Sequence, residues 1–283
     1  MKYRRYNSLE SFESDVLDLL MENEAQNNLP ISFIQNKQAD VSSWLLASIS
    51  GDDGNVIMAA ACTPPFNIVL YETKNRPNGE AEALLLSREI RAIGFKIPGV
   101  TAEKNLARRF AELHVGADYT KHLAMNVMQL DRVEAIEKAP GFMRPLTEND
   151  MFFAPYWERA FAEDCGVEVY GIKQNYNRIK SRLGRDLHYL WEDGVPVSQA
   201  VYGRPVVSGA VVNYVYTPPQ YRGRGYASSV VAELSDALLT RGFKFCCLFA
   251  DATNPISCGI YRKLGYRDIC EYEELIFETP ALM

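Results

Sequence analysis

The sequence predicts a two-domain α/β protein whose sheets mix parallel and antiparallel strands. Three observations carry that expectation. Short apolar runs flank tight-turn residues at Gly51-Asp52-Asp53-Gly54 and at Asp193-Gly194, the signature of hairpins. Nearly continuous apolar runs at residues 210–216 and 243–250 lie either side of an amphipathic segment, as expected of sheet strands covered on both faces. The 283-residue chain is interrupted near its middle by a polar stretch with Pro and Gly, residues 132–145, and its length suits two domains of ordinary size. The boundary is placed so that residues 1–138 form one domain and 139–283 the other.

The elements follow in order. Residues 1–30 read as amphipathic helix, with Leu9, Phe12, Val16, Leu19 and Leu20 at spacings of three and four. Residues 44–50 and 55–62 read as a hairpin, 67–71 as a further strand and 81–93 as helix. A short strand is expected near Ile97. A helix is expected over 101–113, with Thr101 as N-cap and Lys104, Arg108 and Arg109 on its wet side. Residues 122–130 close the first half as a strand. The second half opens with a short strand at 142–144, a helix start at Thr147 followed by helix over 151–161, and a second helix over 172–183. Strands at 188–192 and 195–202 form a hairpin, and 210–216 is a further strand. Ala227, Val230, Val231, Leu234 and Leu238 mark one face of a helix ending at Arg241-Gly242. A strand over 243–250, a short helix over 256–264 and strand material over 269–277 complete it. Both halves show hairpin, strand, helix, strand, helix, strand, a loose repeat without residue-level identity.

Composition narrows the function. The chain is 47% apolar and 23% charged, with net charge -6, which supplies no basic face for duplex nucleic acid. No run approaches the ~20 apolar residues of a membrane span, and the N-terminus lacks the apolar core of a secretory signal. The six cysteines, at 62, 165, 246, 247, 258 and 270, form no CxxC pair. They read as buried small hydrophobes in a reducing cytoplasm. His114, His122 and His188 lack metal-ligand spacing, so no metal is expected.

The segment Gln220-Tyr221-Arg222-Gly223-Arg224-Gly225-Tyr226-Ala227 lies between a buried strand and an amphipathic helix. Its glycines let the backbone turn so that several N–H groups converge on an anion, beside the helix's own unsatisfied donors. Arg222 and Arg224 supply guanidinium groups suited to phosphate. A Rossmann fingerprint lacks its third glycine here, and a Walker loop lacks its GKS or GKT. The plain alternative is a solvated turn.

A second segment, Asn254-Pro255-Ile256-Ser257-Cys258-Gly259-Ile260-Tyr261-Arg262-Lys263-Leu264-Gly265-Tyr266, follows some thirty residues on. Together the two resemble the Gcn5-related N-acetyltransferase superfamily. The first fits its Q/R-x-x-G-x-G/A signature and the second its N-x-x-S-x-x-x-Y-x-K-x-G-F/Y segment. The match spans roughly residues 142–277 and leaves the first half out.

That resemblance implies a mixed sheet whose strands ending near Tyr216 and beginning near Phe243 splay apart. It implies acetyl-CoA as co-substrate, its pantetheine arm against the backbone of Val215, Tyr216 and Thr217. The amides of Arg222, Gly223, Arg224, Gly225, Tyr226 and Ala227 would hold the pyrophosphate. Asn254 and Ser257 fall in the cofactor-binding segment, with Tyr261 beside the sulfur as general acid. The competing reading of Tyr261 is a packing role between helix and sheet.

Aminolysis of a thioester also needs a neutral amine, and an alkylamine has a pKa of about 10.4. No carboxylate lies on the strand 210–216, and Glu192, Asp193 and Asp251 are as easily turn or solvent residues, so no base is assigned. The expected reaction is acetyl transfer to a primary amine of a small molecule or peptide, by a monomer or homodimer without nucleic-acid or membrane partners. The first half reads as a degenerate second copy or accessory domain, with one glycine and no cradle in its Glu72–Glu80 stretch. A coenzyme A-binding sensor or scaffold with vestigial transfer is the alternative.

Overall fold

A computed structural model describes residues 1–37, 39–74 and 79–278. Its elements are β1 (Lys2–Tyr6), α1 (Leu9–Met21), α2 (Asn28–Gln35), β2 (Leu45–Ser50), β3 (Val56–Cys62), β4 (Ile68–Glu72), α3 (Glu80–Ala92), β5 (Gly99–Glu103), α4 (Lys104–Val115) and β6 (Tyr119–Leu130). They continue with β7 (Phe142–Pro145), α5 (Ala154–Cys165), α6 (Ile172–Lys180), β8 (His188–Asp193), β9 (Val195–Pro205), β10 (Gly209–Tyr216), α7 (Tyr226–Thr240), β11 (Phe245–Asp251), α8 (Pro255–Lys263) and β12 (Arg267–Phe277). One order therefore occurs twice: strand, two helices, three strands, helix, strand, helix, strand. The repeat legible in the sequence is longer than expected, because each copy also begins with a strand and two helices.

The chain forms two compact units, residues 1–127 joined by the stretch from Cys270 onward, and Met128–Ile269. In the first unit β1 to β4 run antiparallel to one another in sequence order. β5 pairs parallel to β4, at Ile68↔Val100 and Val69↔Thr101. On its other side β5 takes β12, antiparallel from Tyr272↔Glu103 to Ile276↔Gly99. Helices α3 and α4 supply Leu86, Ile90, Leu106, Phe110 and Ala111 to the core, joined by Leu275 and Phe277 of β12. The Gly51–Gly54 turn closes the β2–β3 hairpin as expected, with Gly51 N–H on the Asn55 carbonyl at 2.9 Å.

Three expectations change here. β1 occupies residues read as helix. Its sequence KYRRY hides the strand period behind charged side chains, and the ladder to β2 forms it. β5 holds Thr101, expected to cap a helix. Gly99, Val100, Thr101 and Ala102 are buried between two partner strands, and the cap of α4 is Glu103, whose carboxylate accepts from Asn105 and Leu106 N–H at 3.0 and 3.3 Å. Finally, the division falls inside β6 and β12 rather than after residue 138, and residues 270–277, expected with the second half, pair within the first unit. Part of the 72–80 stretch read as lacking a cradle, residues 75–78, lies outside the described residues.

In the second unit β7, β8, β9 and β10 are antiparallel neighbours, and β10 is parallel to β11. Asp193-Gly194 makes the β8–β9 turn. The predicted face of α7 is buried through Val230, Val231, Leu234 and Leu238, against Ala210, Val212, Cys246 and Leu248. Cys246 and Cys247 are both fully buried, as alternation on a covered strand requires, and all six cysteines are free thiols. Thr147 caps a 3₁₀ turn over Glu148–Asp150, so α5 starts later than expected, at Ala154. No helix among the described residues is long and apolar enough to cross a membrane.

Candidate functional site

The site begins where a parallel ladder stops. β10 and β11 pair at Gly209↔Phe245, Ala210↔Cys246 and Val211↔Cys247, yet β10 runs on to Tyr216 and β11 to Asp251. From Val212 the pairing of β10 with β9 also slips, at Val211/Val212 and again between Asn213 and Tyr216. Within that slip Tyr214 has φ +49°. A β-bulge re-aims and bends its strand, and the parallel pairing of β10 with β11 does not continue past Val211. The divergence expected near Tyr216 and Phe243 thus starts at Val212, beyond a short paired base.

Backbone at the end of β10 is partly committed. The Tyr216 carbonyl accepts from Ser198 Oγ at 3.2 Å and the Thr217 carbonyl from Arg222 Nε at 2.8 Å. Val215 is half-buried, and the Tyr216 ring packs 6.0 Å from Trp157.

Next comes the glycine loop. Gly223 and Gly225 have φ of +76° and +80°, the left-handed region that disfavours any side chain. A Cβ on Gly223 would meet nothing within 4 Å, and one on Gly225 only Ala139 Cβ at 3.7 Å. The glycines are required by backbone shape, and the space above them is open. Residues 223–228 donate no backbone N–H bond to another described residue, and a helix leaves its first N–H groups unsatisfied at the positive end of its dipole. Free N–H groups at a helix N-terminus are the arrangement that receives an anion.

The cradle is fixed from behind by a residue that no sequence pattern singled out. Fully buried Ser229 donates through Oγ to the Gly225 carbonyl at 3.0 Å and accepts the Ala139 N–H at 2.8 Å. The arginines divide their work. Arg222, expected at the phosphate rim, is held by the Thr217 carbonyl and by Asp164, so it clasps the loop. Arg224 is exposed, lies beside the Tyr226 hydroxyl and enters no ion pair among the described residues. The Tyr226 side chain turns away and donates to Asp193 Oδ2 at 2.5 Å, a bond that raises its pKa. Only its backbone, with that of Ala227, faces the cradle's task.

Asn254 caps α8, its Oδ1 accepting from Ser257 N–H at 3.0 Å. The side chain is exposed, and its amide NH₂ remains to donate. Two turns on, Tyr261 is buried, with its ring edge-on to Tyr266 at 5.8 Å. Burial pushes its phenol up to about 12, opposed by a hydrogen bond with the Ser257 hydroxyl. The phenol therefore keeps its proton at any ordinary pH. Cys165, at the end of α5, is close enough to act on that ionisation. Its own thiol is raised to about 11, by burial first and then by Asp164 and Asp251.

The carboxylates weighed as bases are engaged elsewhere. Glu192 pairs with Arg144, Asp193 accepts from Tyr226, and Asp251 accepts from Thr253 N–H and Oγ1 at 2.8 and 2.7 Å. No group of three or more metal-ligating side chains occurs among the described residues. Arg262 pairs with Asp268, and Lys263 is exposed. Trp157, Phe161 and Tyr156 differ in role: Phe161 packs tilted against Tyr214 with centroids 5.1 Å apart, Trp157 touches Tyr216, and Tyr156 is exposed.

The FR47-like protein family model matches residues 200–275, which include both motifs. No curated protein matches the sequence. Among solved structures, a GCN5-related N-acetyltransferase from Sphaerobacter thermophilus superposes with TM-score 0.68 at 16% identity, covering 99% of this chain and 97% of that one. A GNAT-family acetyltransferase from Colwellia psychrerythraea gives 0.62 at 12% identity, over 98% and 100%. A tandem GNAT protein from the clavulanic acid biosynthesis pathway gives 0.60 at 12% identity, over 99% of each chain. The chain thus has the fold of the Gcn5-related N-acetyltransferases, arranged in tandem, and the two segments that resemble that superfamily lie within the FR47-like match.

Proposed function

We propose that the second unit transfers an acyl group, acetyl in the leading case, from coenzyme A to a primary amine. Three features of this unit support the reading. They are a parallel strand pair that separates after Val211, an anion cradle at residues 223–228, and a phenol held protonated on α8. A pure phosphate binder has no use for the third.

Acetyl-CoA would supply a thioester, activated for attack by nitrogen. The N–H groups from Gly223 to Ala227 would hold its diphosphate, assisted by Arg224, and Asn254 Nδ2 would donate to the arm. N–H groups around residues 215–217 would pair with the arm and meet the oxyanion, where preorganised donors act most strongly. The amine lone pair attacks the carbonyl carbon, the C–S bond breaks, and the departing sulfur takes the Tyr261 proton. A phenol at about 12 suits a thiolate leaving in the same apolar surroundings, since burial raises the neighbouring Cys165 thiol to about 11. The amine's extra proton passes to water, because Glu192, Asp193 and Asp251 all have partners.

Those occupied carboxylates are also the observation favouring the second reading, a coenzyme A sensor. Thiol release from acetyl-CoA over a panel of amines separates the two. Release dependent on amine supports transfer; tight coenzyme A binding with no release from any amine selects the sensor. Gly225→Val tests the cradle in either case. Forcing a β-branched residue to φ +80° costs about 1–2 kcal/mol or displaces the loop. Coenzyme A affinity is expected to fall at least tenfold by calorimetry, and unchanged affinity would remove the cradle assignment.

A further inference from the structure

A second polar cluster of this unit lies on α5, on α6 with the turn that follows it, and on the bulge of β10. Two guanidinium groups converge on Tyr214. Arg178 donates to its hydroxyl at 2.5 Å and sits 5.8 Å from its ring centroid, and Arg182 sits 4.9 Å from that centroid. Arg178 also covers the Tyr170 ring at 4.6 Å. One carboxylate answers them: Glu158, 2% exposed, which accepts from Arg182 at 3.0 Å. Arg178 joins no ion pair among the described residues. Arg182 Nη1 and Glu158 Oε2 are buried without a hydrogen-bond partner there.

A guanidinium taken out of water normally meets a carboxylate or phosphate, because its desolvation costs several kcal/mol and its fork matches two oxygens. Here two forks face aromatic rings, one hydroxyl and one carboxylate oxygen, and their donors are largely unspent. Tyr214 itself is held at φ +49°, strain of about 1–3 kcal/mol of the kind that persists where a site demands it.

Placement ties this cluster to the proposed chemistry. Glu158, Phe161 and Cys165 stand at i, i+3 and i+7 of α5, on one face. Glu158 holds Arg182, Phe161 meets Tyr214, and Cys165 neighbours Tyr261. At 1.5 Å rise per residue, the arginine pair lies roughly 6–10 Å along the helix from the phenol's surroundings. We propose that the acceptor amine carries a carboxylate several bonds from its nitrogen, received by Arg178 and Arg182 while the amine reaches the thioester. This rests on the transferase reading above. A short ω-amino acid spans that distance, and glycine does not.

The test uses the full chain saturated with coenzyme A, with 5-aminovalerate and its neutral amide 5-aminovaleramide as probes. Binding is read by calorimetry, and turnover by thiol release from acetyl-CoA. The acid is expected to bind at least tenfold tighter than the amide. Arg178→Gln should erase the ratio, Arg178→Lys should restore part of it, and coenzyme A affinity should hold in both. Equal binding of acid and amide, or a ratio untouched in a folded Arg178→Gln protein, overturns the proposal. Release with neutral amines as fast as with acids would overturn it too while keeping the transferase. Acid-selective, Arg178-dependent binding without release from any amine would uphold the carboxylate site and remove the transferase.

Discussion

Ending the chain after Ile269 is expected to unfold the first unit. The lost residues include Tyr272, Leu275 and Phe277, all buried, with Leu275 and Phe277 in the first unit's core. Truncating one such side chain costs roughly 2–5 kcal/mol, and a domain's whole stability is only about 5–15 kcal/mol. The loss also opens the β5 edge and strands Arg108, whose Nε and Nη2 each donate to buried Glu273 at 2.6 Å. The measurement is amide hydrogen exchange. Protection should vanish across α3 and α4, Phe110 included, and native-like protection there would refute the assignment of residues 270–277 to this unit. A fragment of residues 1–138 should fail in the same way.

Tyr261→Phe is expected to lower kcat by about 10²–10³ while leaving coenzyme A affinity within a factor of two or three. Removing a positioned general acid commonly costs 10²–10⁴, and loss of one hydroxyl leaves the ring packing against Tyr266 in place. The sign with pH follows from the raised phenol. With a pKa of about 12 the acid form persists through neutral and mildly alkaline solution, so wild-type kcat should show no alkaline fall from this group below about pH 10. Unchanged kcat in the variant would return Tyr261 to a packing role and put the proton on solvent.

Some of this was legible in the sequence because backbone chemistry demanded it. Gly223 and Gly225 occupy φ values few other residues accept, and Asn254 with Ser257 forms a local cap, so each leaves a short-range mark. The hairpin turns at Gly51–Gly54 and Asp193-Gly194 are legible for the same reason. What stayed hidden depends on partners distant in the chain. β1 reads as polar because an edge strand needs only its neighbour's ladder. The strand expected near Ile97 lies two residues on, and the last three residues of β5 read as helix because its burial comes from β4 and β12, not from its own five residues. The bulge at Tyr214, the bond from Ala139 N–H to Ser229, and the pairing of Arg178 on α6 with Arg182 in the turn after it have no spacing signature. Arg222 carries the right chemistry for phosphate, and only geometry shows it spent on Thr217 and Asp164.

The placement of residues 270–277 beside β5 also sets an order in time. During synthesis, the first unit's sheet lacks one of its members until all of Met128–Ile269 has been translated. At 5–20 residues per second that interval is on the order of ten seconds, far longer than collapse or hairpin formation. Through that interval the β5 edge and the apolar floor under Phe110 stand open on the nascent chain, where chaperones and neighbouring nascent chains compete for them. Yield in a cell should therefore respond to translation rate and chaperone supply more than the equilibrium stability of the finished protein would suggest.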